Sequence, residues 1–116
     1  MKKFLLGLIL IVHCSLYGQE FVATGVAFNF NNEGWSGYTD CEVPISFNME
    51  KNFVLISSEE PVMFDIKNID RSEVDGDKVV IFYCVDESND RCAIWLTEVG
   101  TLFVFYPNFS VGYIVH

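Results

Sequence analysis

From Phe21 onward, apolar side chains either alternate with polar ones or fall in short β-branched and aromatic runs. No stretch repeats apolar residues at i, i+3, i+4 and i+7 for long enough to make an amphipathic helix. The pattern predicts a first strand over Phe21 to Phe30, ended by Asn31-Asn32-Glu33-Gly34. Trp35 to Asp40 reads as irregular. Val43, Ile45, Phe47 and Met49 then alternate with Pro44, Ser46 and Asn48, a strand buried on one face. Pro44 cannot donate to a ladder, so this strand should start or lie at an edge there. Further strands are expected over Phe53 to Ser58, Val62 to Lys67, Lys78 to Val85, Arg91 to Glu98, Thr101 to Tyr106 and Val111 to Val115. Asp75-Gly76 carries hairpin-turn chemistry, because glycine tolerates positive φ. Short links between sequential strands make antiparallel neighbours. The fold expected is therefore all-β, an antiparallel meander of about seven or eight strands, barrel-like or a curled sheet or sandwich.

The turns also give a register. If Ser88 centres its loop, Cys84 lies opposite Cys92, Phe82 opposite Ile94 and Val80 opposite Leu96. If Val99-Gly100 is a two-residue turn, Leu96 lies opposite Phe103 and Ile94 opposite Phe105, and continuing the count puts Phe103 opposite Ile114. One face then carries Val80, Phe82, Ile94, Leu96, Phe103, Phe105 and Ile114, the expected core. The other carries Val79, Ile81, Tyr83, Trp95, Val104, Tyr106, Tyr113 and Val115. Tyr and Trp suit a surface that is partly wet, so Tyr83, Trp95, Tyr106 and Tyr113 form the candidate binding face. The competing expectation is that the N-terminal strands cover it. A slip of one residue in a turn would exchange the faces.

The N-terminus changes this picture by setting the compartment. Lys2 and Lys3, an apolar run from Phe4 to Val12 and a small residue at Gly18 read as a signal peptide over residues 1–18. Residues 19–116 are then a single all-β domain, exported to the periplasm or secreted. The run is too short for a membrane anchor of about 20 apolar residues, and bulky Ile11-Val12-His13 does not suit lipidation at Cys14. The chain has 7 basic and 16 acidic residues; without Lys2 and Lys3, 5 face 16, a net charge of −11. That charge repels nucleic acid and anionic membranes and permits a cationic partner.

Three cysteines remain, Cys41, Cys84 and Cys92. An oxidising compartment favours a pair with one left over, and the hairpin register selects a Cys84–Cys92 disulfide with Cys41 as a buried free thiol. Closing that loop would stabilise by about 2.5 kcal/mol in the chain-entropy model.

Catalytic chemistry is sparse. His116 is the one imidazole left after signal removal, so no base stands ready for a Ser or Cys nucleophile. The carboxylates sit in turns. Asp86, Ser88 and Asp90 match the first alternating positions of a calcium loop, but Arg91 stands where the glycine should be and Thr97 where the bidentate glutamate should be. No enzyme activity, cofactor or metal is expected. Trp35-Ser36-Gly37-Tyr38 is either a ligand-contacting loop or a lid on one end of the core.

Trp35-Ser36, Phe64-Asp65-Ile66, Asp75-Gly76-Asp77 and Phe82-Tyr83-Cys84-Val85-Asp86-Glu87 followed by Arg91-Cys92 resemble a group of small uncharacterised exported proteins of Bacteroidetes bacteria. The likeness covers about Trp35 to Val115. It implies compartment and size and brings no functional residue with it.

The functional expectation is an exported non-enzymatic binding or interaction module for a protein or glycan partner. One version is an inhibitor or immunity-type protein capping a cationic partner. The alternative is a small-ligand carrier with an open barrel, which the bulk of the core-face residues disfavours.

Overall fold

The computed structural model describes residues 19–116; the expected signal peptide lies outside the described residues. The strands are β1 (Gln19–Phe30), β2 (Thr39–Asn48), β3 (Phe53–Ile56), β4 (Val62–Val74), β5 (Asp77–Asp86), β6 (Arg91–Thr97), β7 (Thr101–Phe105) and β8 (Phe109–Val115). Each pairs antiparallel with its sequence neighbour, and β1 also pairs with β8, which closes the sheet into a barrel. An eight-stranded barrel is just wide enough for side chains to fill it. Phe47, Phe82, Ile45, Ile94, Leu96 and Leu102 do so, each fully buried.

β1 and β2 therefore continue the wall edge to edge and do not lie over a face of β5–β8. The register shifts between Ala23 and Gly25, and beyond it Val26 and Phe28 pair with Tyr113 and Val111 of the inward row. Pro44 lies inside β2, opposite Val22. Val22 exchanges its backbone hydrogen bonds with His116, and the Pro44 carbonyl accepts from Ser57 N at 2.8 Å, just past the end of β3. The missing N–H thus falls where the β3 ladder has already stopped.

The β5–β6 register is as the sequence indicates: Cys84 faces Cys92, Phe82 faces Ile94 and Val80 faces Leu96. The β6–β7 register is not. Leu96 pairs with Leu102, and Trp95 pairs with Phe103. The connection is a three-residue loop, Glu98 to Gly100, in which Gly100 takes φ +85° and donates to Thr97 O at 3.3 Å. Such loops add a left-handed residue after a tight turn, and the extra residue exchanges the faces of β7. Phe103 and Phe105 face outward, while Leu102 and Val104 are buried inside. Phe103 then meets Gly112, and Ile114 meets Thr101. Tyr113 and Val115 enter the core, and Ile114 leaves it.

β4 runs seven residues past the end expected at Lys67. Its second half pairs with β5 through a hairpin closed by Asp75, at φ 51°, and Gly76, at φ 84°. β3 pairs only with Phe64, Asp65 and the two residues before them, so the other edge of Asn68–Val74 is open. Asp70, Arg71 and Glu73 keep that edge charged and exposed, which discourages edge-to-edge pairing.

Candidate functional site

The four residues of the expected binding face do not share a face. Tyr83 (43% exposed) and Trp95 (half-buried) lie on the outer wall; Tyr106 and Tyr113 point inside, at one end of the barrel. Two sites follow from this division.

The first is an aromatic wall on the outside of β5–β7. Cross-strand pairing sets Asp70, Ile81, Trp95 and Phe103 in one outward row and Asn68, Tyr83, Ala93 and Phe105 in the next. Trp95 meets Phe105 edge-on with centroids at 5.1 Å, and Phe105 stacks on Phe103 at 5.6 Å. Such ring pairs add to the energy of burial alone. Phe103 then leans on Trp35 at 5.6 Å.

Trp35 reaches the wall because the β1–β2 loop folds back over the barrel. Asn31 (φ 54°), Asn32 (φ 58°) and Gly34 (φ 117°) reverse the chain. Phe28 N donates to Ser36 Oγ at 2.9 Å, and Ser36 N donates to Phe28 O at 2.8 Å. Gly112 makes the space, since a Cβ there would stand 3.1 Å from the Phe103 ring and 3.3 Å from the Trp35 ring. Trp35 therefore extends the outer wall and does not lid an end of the core. It remains 44% exposed. On β4, Asp70 ends the Trp95 row, and Asp65 lies one row beyond Tyr83 in line with Val85 and Arg91.

The second site is a pocket of about 130 Å³ at the end of the barrel where β7 finishes, lined by Val62, Phe64, Val104, Tyr106, Val111 and Tyr113 among others. Tyr106 stacks on Phe109 at 4.7 Å, Phe109 on Phe30 at 6.1 Å, and Phe30 on Phe28 at 6.0 Å. Phe30 is 60% exposed at this rim. The Tyr106 hydroxyl donates to Asp86 Oδ2 at 2.9 Å. Asp86 Oδ1 accepts from the backbone N–H groups of Ser88 and Asp90, each at 2.9 Å. The carboxylate that resembled a calcium ligand is thus taken up by its own loop, and these bonds hold it below the usual carboxylate range.

No family model, curated protein or solved structure matches the chain. The chemistry of these surfaces therefore carries the functional reading.

Cys84 and Cys92 are buried and face each other across β5–β6 as free thiols. Asp86 N donates to Asp90 O and Glu98 N to Lys78 O, so the hydrogen-bonded pairs of this ladder include Cys84–Cys92. Such pairs have Cα atoms about 5.5 Å apart, inside the disulfide range of about 4.4–6.8 Å, but their Cβ atoms stand wider than the ~3.8 Å a disulfide takes, so this register needs a local twist before the thiols can join. Burial first, and then the neighbouring thiol, pushes Cys84 up to about 12. Burial and the nearby Asp86 push Cys92 up to about 11, against a lowering influence of the Tyr106 hydroxyl. Cys41 is half-buried, not fully buried as expected, and its Sγ lies 3.5 Å from Ala23 O. His116, at the opposite end of the barrel, contacts Thr24 Oγ1 at 3.0 Å through Nε2.

The turn count places Phe103 and Phe105 in the core, whereas they lie outside, and nothing in the alternation marks the Phe28–Phe30–Phe109 rim. Thr97 and Thr101 carry the missing signal. Flanking the loop, their hydroxyls meet at 2.6 Å, a cross-strand threonine pair that fixes the three-residue turn.

Proposed function

We propose that the chain is an exported, non-enzymatic binding module that docks a cationic protein surface on its outer aromatic wall. The observation that carries this reading is the cluster of Trp35, Phe103, Phe105, Trp95 and Tyr83 outside a filled barrel, with Asp70 at the end of the Trp95 row. Monomers that expose a contiguous apolar surface commonly use it for association. Arg and Lys are attracted to the faces of Trp, Tyr and Phe within about 6 Å, and a net charge of −11 after signal removal steers cations toward it.

The packed interior weighs against a carrier holding its ligand inside the barrel. Thiols with raised pKa values and an imidazole at the far end weigh against nucleophilic catalysis. β3 has 4 residues and β7 has 5, short of the 9–11 or so that cross a bilayer. In the exported protein Cys84 and Cys92 join as a disulfide across the hairpin, with Cys41 left as the odd thiol.

Both tryptophans of the chain lie on the wall, so intrinsic tryptophan emission reports on it directly. Titration with an Arg-rich peptide should change that emission and weaken with salt. A Glu-rich peptide acting equally well would remove the basis for this reading.

A further inference from the structure

We infer that the pocket at the Tyr106 end of the barrel is a binding site for a small apolar ammonium ion, a cation carried on a compact hydrocarbon body. This reading goes beyond the wall and stands apart from it. The pocket, of about 130 Å³, is close in size to an apolar cavity of about 150 Å³ that takes benzene. Its lining of Val62, Phe64, Val104, Val111 and the Tyr106 ring is apolar. The body of the ligand is thus a ring or a short branched chain.

The charge comes from the surroundings. The two loops flanking the pocket, β3–β4 and β5–β6, carry Glu59, Glu60, Glu87 and Asp90, all exposed, in addition to Asp86. Their nearest basic residue in sequence, Arg91, pairs with Val85 in an outward row. Neither anions nor neutral groups gain from such a rim, while an ammonium gains twice. It is drawn by the carboxylates, and its hydrocarbon body packs beside Phe30, which is 60% exposed at the rim. Tyr106 is kept from serving as an acid or base here, because burial and its bond to Asp86 raise its pKa well above the ordinary value. The site binds and does no chemistry.

The test compares benzylammonium, benzyl alcohol and benzoate, each titrated into the folded protein and followed by NMR at Tyr106, Phe109 and Val111. A ligand this small should reach a Kd on the order of 1 mM, with benzylammonium about tenfold tighter than benzyl alcohol and benzoate weakest. Val111→Phe, which fills the pocket, should abolish the shifts. Because that variant could disturb the fold, Glu59→Gln/Glu60→Gln supplies a second arm on exposed positions: it should reduce the ammonium preference and leave benzyl alcohol binding unchanged. Equal binding of all three probes, or no shift up to about 10 mM, would overturn the inference. So would shifts confined to Trp95 and Phe103, which would assign the ligand to the wall.

Discussion

The Tyr106 hydroxyl donates a 2.9 Å hydrogen bond to Asp86 Oδ2, tying the end of β7 to the β5–β6 loop two strands away in the barrel order. Asp86 in turn caps the backbone of Ser88 and Asp90. One carboxylate therefore fixes the loop that borders both the cysteine hairpin and the end pocket.

This arrangement gives a pH dependence with a definite sign. The Asp86 carboxyl is held below its ordinary value, first by the Asp90 backbone bond and then by Tyr106 and the Ser88 backbone. The folded state thus binds its proton less readily than the unfolded state. Its contribution is complete above the unfolded value of about 3.9 and is lost as pH falls through the lower folded value. Tyr106→Phe should cost about 0.5–1 kcal/mol at neutral pH, modest because Asp86 keeps access to water. The cost should shrink in acid. Denaturant unfolding at pH 7 and at about pH 2.5 checks it, and an equal cost at both would show that the hydrogen bond is not the cause.

Gly112→Ala should detach Trp35 from the wall. The added methyl meets the Phe103 and Trp35 rings at 3.1 and 3.3 Å, tighter than most packed carbon contacts, so the rings must give by a few tenths of an ångström. Overpacking of this kind costs about 1–3 kcal/mol. A red shift in tryptophan emission with barrel circular dichroism retained is the expected signature; unchanged emission would mean the loop tolerates the methyl without moving.

Much of the barrel is legible in the chain because its strands are short and its turns are polar. The β5–β6 register could be counted because the Asp86 to Asp90 loop is compact, closed by bonds from Asp86 N to Asp90 O and from Asn89 N to Asp86 O. The β6–β7 turn misleads because Val99-Gly100 looks like a complete hairpin turn, whereas Gly100 is the left-handed third residue of a longer one. That single residue moved Phe103 and Phe105 outside and divided the expected binding face. The second half of β4 is silent for another reason. Asn68 to Val74 has no neighbour on one edge and no core beneath most of its length, so apolar alternation is not required there. The aromatic rim outside the end pocket follows from the β1 irregularity at Thr24, which turns Phe28 and Phe30 toward Phe109.

The reduced protein should show graded thiol reactivity. Burial raises all three thiols, Cys84 to about 12 and Cys92 to about 11, and Cys41 is the least buried. Alkylation at pH 8 should label Cys41 first, with Cys84 slowest. In protein recovered by export, Cys84 and Cys92 should resist alkylation altogether until a reductant is added. Peptide mapping reads both results, and a crosslink through Cys41 would contradict them.

The wall should be accessible and electrically negative. Cesium ion should quench tryptophan emission more than iodide does at matched ionic strength, since 16 acidic residues outnumber 7 basic ones in the chain and draw cations to its surface. Iodide quenching more strongly would remove the electrostatic half of the functional reading.

Residue-resolved NMR during titration with the Arg-rich peptide tests whether the aromatic wall binds cations. The expected result is a set of shifts centred on Tyr83, Trp95, Phe103 and Phe105, diminished by salt and by Trp95→Ala in a protein that remains folded. Shifts elsewhere on the barrel, or binding unaffected by Trp95→Ala, would contradict a cation-binding aromatic wall.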